Sequence, residues 1–599
     1  MKHFPSDGCP EYRALSYVWG KSSREVPILV NGKILSITQN LFIILSQLRR
    51  KNFEGWIWID AVCIDQGNDL EKSLLLQRIP SIYKGAEATL AWVGEYEEGH
   101  GSQSRDSLLC ITRIGMIIQE VIGLPTTDQI HKEDENDSLS ALNQIKSNDL
   151  MMLLSKKQDL VTKTMLRIAE ILTGKDKECS RKLEEVLSHP IWTRIWIVQE
   201  FASSRDVFLV NEEQTLELRT FFDVWAVLYH GLNQDANFDL DLLSSKVRAR
   251  IKSMAPMLLL SSVLGISRKP RSLFELLRAT GWFCASDPRD KIFALMGIAG
   301  DSSELAIPTN YELPYENICV TVSEALIRKY GLSMLSFNAG CADHHGRVNP
   351  SLPSWCSDWR LGTSYTLVKD RPAARNSFNA CGTLKGTTQV IFDRTRGRMS
   401  LIGTIVDSTR HVRECDVTAF DSNHKHAVSQ LLSQLRSLSS FQKASSWSNV
   451  SAYVEQALFC VPIAHQGPVP SISIPDSQGR SQELFEAYDA LSGEIPKSSN
   501  SPSEPCPLGR LNPYVQEVIR RAAGRAIFAC ENNYLGLGPV SMQKGDLVCI
   551  FQDSSVPSII RSLRNGCFLY IGEAYVHGIM HGEYFNRSKH FDHRTFIIE

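Results

Sequence analysis

The chain contains no C-x-x-C pair among its 15 cysteines, which are scattered singly from Cys9 to Cys567. That excludes zinc ribbons and fingers, which need close ligand pairs. A secreted disulfide scaffold would be shorter and denser in cysteine, so an intracellular, reducing compartment is expected. Long apolar runs are absent too. The longest, Met254–Ile266, falls short of the roughly 20 residues that cross a bilayer. The first twelve residues lack the apolar core of a signal peptide. A cytoplasmic protein without a membrane span is expected. Charge of one sign is also missing: 64 Lys+Arg stand against 66 Asp+Glu in 599 residues, which gives no case for a nucleic-acid partner. No phosphate loop, G-x-S-x-G elbow or H-E-x-x-H motif occurs. Gly536-Leu537-Gly538 lacks the third glycine of a dinucleotide fingerprint and reads as a turn. His577 and His581 stand four apart between glycines, without a third ligand, so no metal site is expected.

What remains is ordinary globular material, 43% hydrophobic and 22% charged, enough for several domains. The first hundred residues alternate strand and helix. Tyr12–Trp19 reads as a strand. Val26–Val30 and Lys33–Ile37 flank Asn31-Gly32 as a hairpin. Thr38 caps a helix to about Arg50. Trp56–Asp60 reads as a strand buried on both faces, Asp69–Tyr83 as a helix kinked by Pro80, and Ala88–Val93 as the next strand. This order predicts a parallel α/β sheet. Helices are expected over 105–123, 152–174, 178–187 and 190–201, then a short strand, Asp206–Val210. A mainly helical stretch follows, in which Asp287 caps a helix with Pro288 in its first position. Lys497–Pro507 reads as a linker, and short strands after it as a small antiparallel β module. The predicted domains are 1–210, 211–370, 371–508 and 509–599.

Two stretches carry polar groups where a filler of the core would not. In W-I-W-I-D-A-V-C-I-D-Q, residues 56–66, Asp60 falls at the carboxyl end of a strand, where ligands bind in open α/β sheets. Capping a turn is its simpler role, and Asp65 and Gln66 can serve loop backbone groups. In P-I-W-T-R-I-W-I-V-Q-E, residues 190–200, helical spacing puts Trp192, Trp196, Gln199 and Glu200 on one face. A carboxylate beside two indoles needs a partner. It either accepts hydrogen bonds structurally or serves a site with an aromatic platform.

Together these stretches resemble the fungal heterokaryon-incompatibility (HET) domain family. Tyr12-Arg13-Ala14-Leu15-Ser16-Tyr17-Val18-Trp19-Gly20 resembles Y-x-A-L-S-Y-x-W-G. Trp58-Ile59-Asp60-Ala61-Val62-Cys63-Ile64-Asp65-Gln66 resembles W-I-D-A-x-C-I-[ND]-Q. Ala91-Trp92-Val93-Gly94 follows, and Trp192, Arg194, Trp196, Gln199 and Glu200 resemble W-x-R-x-W-x-x-Q-E. Asp287-Pro288-Arg289-Asp290-Lys291, Leu352-Pro353-Ser354-Trp355 and Gly572-Glu573-Ala574-Tyr575-Val576-His577-Gly578 are similar to blocks of long HET-containing proteins. The chain departs from the family at Leu75 and Ile79, where Gln and Met are usual, and Pro80 follows them.

The resemblance implies a role in non-self recognition and programmed cell death. It also implies a TIR/flavodoxin-like N-terminal sheet, a protein partner from an incompatibility locus and self-association through the HET domain. Some TIR domains cleave NAD, so NAD is an expected substrate class; no bound cofactor is expected. On that reading Glu200 and Asp60 are catalytic, and Trp192, Trp196, Gln66 and Cys63 contact substrate. Cys63 is read as packing rather than a nucleophile, because no histidine lies near it in sequence. Arg194, in an ion pair, and Asp287 are structural. The rival functions are a non-enzymatic signalling module and a small-molecule enzyme on the same scaffold.

Overall fold

Asn31 and Gly32 both take positive φ, 51° and 78°, the conformation a two-residue hairpin turn demands and one that Asn and Gly tolerate. They join β2 (Glu25–Val30) to β3 (Lys33–Thr38) in a separate two-stranded sheet. The computed structural model describes residues 1–2, 4, 8–20, 25–96, 106–122, 158–172, 178–233, 247–248, 250–251, 271–338, 351–360, 378–382, 390–415, 424–439, 450–465, 480–493, 512–587 and 591–599. They form two units, Met1–Leu313 and Pro314–Glu599. The expected linker, Lys497–Pro507, lies outside the described residues.

In the first unit, β1 (Tyr12–Ser16) leads through the hairpin to α1 (Gln39–Arg50), whose N-cap Thr38 accepts from the Leu41 amide. Then come β4 (Trp56–Trp58), α2 (Asp60–Cys63), α3 (Asp69–Leu76), α4 (Ile79–Gly85) and β5 (Thr89–Trp92). Next are α5 (Ser107–Ile122), α6 (Gln158–Leu172), α7 (Glu178–Ser188), a 3₁₀ turn (Pro190–Thr193), α8 (Trp196–Ser203), β6 (Val207–Val210), β7 (Thr215–Glu217) and α9 (Leu218–Asn233). The sheet order is β4-β1-β5-β6-β7, with β4, β1, β5 and β6 parallel and β7 antiparallel. Chain direction across the sheet therefore reverses between β1 and β5.

The two faces of the sheet differ in residue size. Leu15, Tyr17, Leu90 and Trp92 pack with Leu41, Ile44 and Leu48 of α1 on one side. Ala14, Ser16 and Ala91, all fully buried, point to the other side by strand alternation. Their small size admits α4 and α8.

Several local expectations need correction. The strand at 56–60 stops at Trp58 and lies at the sheet's edge, with Trp56 exposed beneath Phe4 and Lys2. The helix at 69–83 is two helices: Pro80 stands in the first turn of α4, where its missing N–H costs nothing, rather than kinking one helix. The helix at 190–201 is broken, because Arg194 runs extended while Thr193 and Ile195 on either side of it hydrogen-bond to the Cys284 backbone. Asp287 does not cap its helix directly. It turns the chain by accepting from the Arg289 amide, and α11 (Asp290–Met296) follows α10 (Leu273–Thr280) and starts three residues later. Cys110 of α5 is disulfide-bonded to Cys179 of α7, against the expectation of a wholly reduced chain.

The second unit is a barrel-like sheet with helical elements packed against β10 and β14. Its strands are β8 (Ile391–Asp393), β9 (Arg398–Glu414), β10 (Arg525–Cys530), β11 (Leu535–Pro539), β12 (Leu547–Phe551), β13 (Ser558–Ser562), β14 (Phe568–Glu573), β15 (Tyr575–Val576) and β16 (Arg594–Ile598). Pairings β12–β13, β13–β14, β14–β16, β16–β9 and β9–β12 close a ring. β14–β16 is parallel and the other four are antiparallel. The 17-residue β9 belongs to this ring and also pairs with β10, with register shifts opposite Val548/Cys549 and Ala529/Cys530. Such bulges bend a strand, so that one strand can serve two sheets. The Gly536-Leu537-Gly538 segment is part of β11, not a turn. A Cβ at Gly536 would meet the Phe528 ring at 2.4 Å, so glycine lets that ring lie across the strand.

Candidate functional site

Ser16 is the last residue of β1, at the carboxyl end of the strand where chain direction reverses. Crevices for ligands open at this position in α/β sheets. Its hydroxyl donates to Glu200 Oε2. Glu200, on α8, is 4% exposed. Its other oxygen faces Arg194, with Nη2 to Oε1 3.7 Å. Arg194 also donates through Nη1 to the Tyr17 carbonyl. The ion pair expected of Arg194 is therefore formed, with Glu200 as its partner.

Asp60 begins the helical turn after β4 and is half-buried. Its Oδ2 accepts from the Trp19 indole at 2.9 Å and Oδ1 from the Ala61 amide at 2.7 Å. The loop after β1 is thus held three ways: by Arg194 at Tyr17, by Asn40 Nδ2 on the Val18 carbonyl at 3.0 Å, and by Asp60 at Trp19. Tyr83 of α4, 2% exposed, reaches the Leu15 carbonyl at 3.3 Å.

Burial pushes both carboxyls up, and the Arg194 guanidinium holds both down. Ser16 adds to the lowering at Glu200, while the Asp60 charge adds to its rise. Burial first, and the Asp60 charge second, push the Tyr17 phenol well above its ordinary range. Two carboxyls of raised proton affinity thus share one arginine at the end of β1. Such an arrangement can hold a proton or stabilise a positive centre near it.

The structure brings Asp60, Arg194 and Glu200 together, keeps Gln66 beside Asp60, and gives Trp192 and Trp196 other partners. Trp192 belongs to the 3₁₀ turn, not to the helix of Glu200. It is fully buried, stacked on Phe221 at 4.3 Å, with its indole N–H on the Val186 carbonyl at 2.7 Å. It is therefore packing, not an open platform. Trp196 donates to Asp290 Oδ2 at 3.0 Å. Gln66 closes its own turn by donating to the Asp60 carbonyl at 3.2 Å. Cys63 is exposed rather than packed, because the turn that starts at Asp60 carries it outward. Asp287 makes a bidentate pair with Arg289.

Ser16, Tyr17, Trp19, Tyr83 and Asp290 were not singled out as site residues from sequence. The signal for the first three lay in the quoted Y-R-A-L-S-Y-V-W-G block. The second unit holds an open groove of about 710 Å³ whose lining includes Asn317, Thr321, Leu352, Arg394 and Arg396. No helix among the described residues is long and apolar enough to cross a membrane.

Residues 12–200 match the family described as Heterokaryon incompatibility protein (HET), and residues 511–597 match the Het-6 beta-barrel domain. The chain is 24% identical, over an alignment of 651 positions covering 96% of it and 90% of the relative, to "Heterokaryon incompatibility protein 6, OR allele" of Neurospora crassa. No solved structure matches it.

Proposed function

We propose that this chain, a HET-type heterokaryon-incompatibility protein, acts in fungal non-self recognition as an effector whose first unit triggers cell death. The observation that carries the reading is the match of residues 12–200 to the HET family within a relative aligned over 96% of the chain. The parallel strands, numbered along the chain, lie in the order second-first-third-fourth. That is the flavodoxin-like order, and it supports the TIR/flavodoxin-like reading of the fold. The polar network at the end of β1 is the candidate site. Cleaving the nicotinamide–ribose bond of NAD develops positive charge on the ribose, which a carboxylate stabilises. Asp60, the half-buried member, would face the ribose. Glu200 would tune it through Arg194.

A second reading, a non-enzymatic module working by self-association or by binding a partner, is favoured by the burial of Glu200 and of Trp192. One experiment separates the two. The full chain is expressed in a fungal host alongside Asp60→Asn and Glu200→Gln, with growth and NAD followed together and the fold checked by melting. The enzymatic reading expects both folded variants to lose growth arrest and NAD loss together. Growth arrest at the parental rate without NAD loss would leave the adaptor. If the parental chain causes no arrest, the effector role itself is wrong.

A further inference from the structure

The turn and helix that follow Asp60 present an apolar face that none of the described residues covers. In α3, Leu70 and Leu74 are 61% and 63% exposed, four residues apart on one side of the helix. The helical backbone continues through Gln77 and Arg78. At about 100° per residue, Leu70, Leu74 and Arg78 fall within roughly 80° of arc. The other side of the helix is already committed: Leu76 is buried, Ser73 Oγ accepts from the Tyr311 amide at 3.2 Å, and Lys72 pairs with Asp69 at 2.6 Å.

The charges at the two ends of this face are opposite. Arg78, at the carboxyl end, and Asp65, in the turn before the amino end, are both exposed. Asp65 Oδ1 accepts only from the Gly67 amide, and among the described residues neither side chain has an ion-pair partner.

From this we infer that the Leu70/Leu74 face of α3 is a two-fold contact between two copies of this chain, an inference that rests on the self-association reading above. A surface that binds itself across a two-fold axis must be self-complementary. If the axis passes on the leucine side, level with residue 72, the two α3 helices lie antiparallel. Leu70 of each copy meets Leu74 of the other, and Arg78 of each comes beside the turn that carries Asp65 in the other. A single apolar face with opposite, unsatisfied charges at its two ends meets that requirement. A contact of one short helix is smaller than the roughly 800 Å² per partner of a standard interface. Association is therefore weak, concentration-dependent and oriented by the charges.

The test is sedimentation velocity on the full chain over a concentration series, with Arg78→Glu, Asp65→Arg and Leu74→Asp. All three residues are exposed, and a melting curve matching the parent verifies each fold. Each charge reversal alone faces like against like twice in its own pair. It should weaken self-association at least about tenfold, a separation measurable as a shifted midpoint. Leu74→Asp should abolish it. Mixing the Arg78→Glu chain with the Asp65→Arg chain sets the two substituted side chains, of opposite charge, against each other at one end of the contact. The other end keeps its original Arg78 and Asp65, so the mixture should restore pairing to near the parental level. A parental chain that stays monomeric throughout, a charge variant that pairs like the parent, or a mixture that does not recover would each overturn the inference. Growth arrest is scored separately. If the sedimentation results fail while arrest persists, the contact is wrong and the effector reading stands.

Discussion

Replacing Arg194 by alanine leaves the Glu200 carboxylate, 4% exposed, with the Ser16 hydroxyl as its remaining hydrogen-bond donor. Removing one partner of a buried pair costs about 3–5 kcal/mol. Two features set this case at the lower end. The charges are 3.7 Å apart with the arginine side chain 18% exposed. Glu200, already pushed up by burial, can also take a proton once the guanidinium is gone. The hydrogen bond from Nη1 to the Tyr17 carbonyl is lost as well, which frees the loop carrying Trp19. We expect a loss of about 3 kcal/mol, measured by urea denaturation of the first unit's transition. The sign with pH follows from the same chemistry. Without Arg194 the folded carboxyl titrates higher still, so the penalty is full at neutral pH and is relieved as pH falls and Glu200 protonates. Arg194→Ala/Glu200→Gln, which removes both charges, should regain about 1–2 kcal/mol over the single variant. A loss below about 1 kcal/mol, or a double variant no more stable than the single, would refute the reasoning.

Asp290, with an ordinary value of 3.8, is pushed up to about 6, chiefly by burial and against the hydrogen bonds from Tyr311 and Trp196. The folded state therefore holds a proton between about pH 4 and 6 that the unfolded chain has released, and Asp290's contribution to stability falls as pH rises through that window. Asp290→Asn removes this slope. Its stability relative to the parent should rise by about 2 kcal/mol between pH 4 and pH 7 in parallel melts, and a constant difference would contradict the assignment. Gly297→Ala should cost about 1–3 kcal/mol by overpacking, because the new Cβ would lie 2.1 Å from Gln199 Nε2 and 2.4 Å from Pro80 Cγ. Adding Gln199→Ala relieves the nearer clash, so thermal denaturation of the double variant should show less than the summed loss; additivity would mean the sites do not touch.

The strands and the parallel character of the first sheet were legible because apolar runs bounded by turn residues, alternating with helical spacing, are local patterns. Asn31-Gly32 and Thr38 do in the structure what their residue types predict. The site was half legible. Asp60, Arg194 and Glu200 converge, yet Trp192 is packed away from them against Phe221. Helical spacing placed Trp192 and Trp196 on one face, but pairing of 193–195 with Cys284, some ninety positions later, breaks the helix between them. No window of sequence around Trp192 contains that partner. The same limit hid the closure of the barrel, which depends on β9 meeting strands more than a hundred residues away, and the pairing of Cys110 with Cys179.

The break at Arg194 also explains why the carboxylates are arranged as they are. In one continuous helix, Arg194 would point along the same cylinder as Glu200, away from the end of β1. Extended backbone at 194, with ψ 130°, swings its side chain across to the Tyr17 carbonyl while α8 restarts and carries Glu200 under Ser16. One arginine can then act on both Glu200 and Asp60, which arrive from α8 and from the end of β4. A structural clamp alone would need only one of these carboxylates, since Glu200 already satisfies Arg194 and the loop is held by Asn40. The second, at the half-buried Asp60, adds a like charge that raises Glu200 further. Two carboxyls kept in tension over one cation, at the point where the sheet reverses direction, are costly for stability and suited to a site.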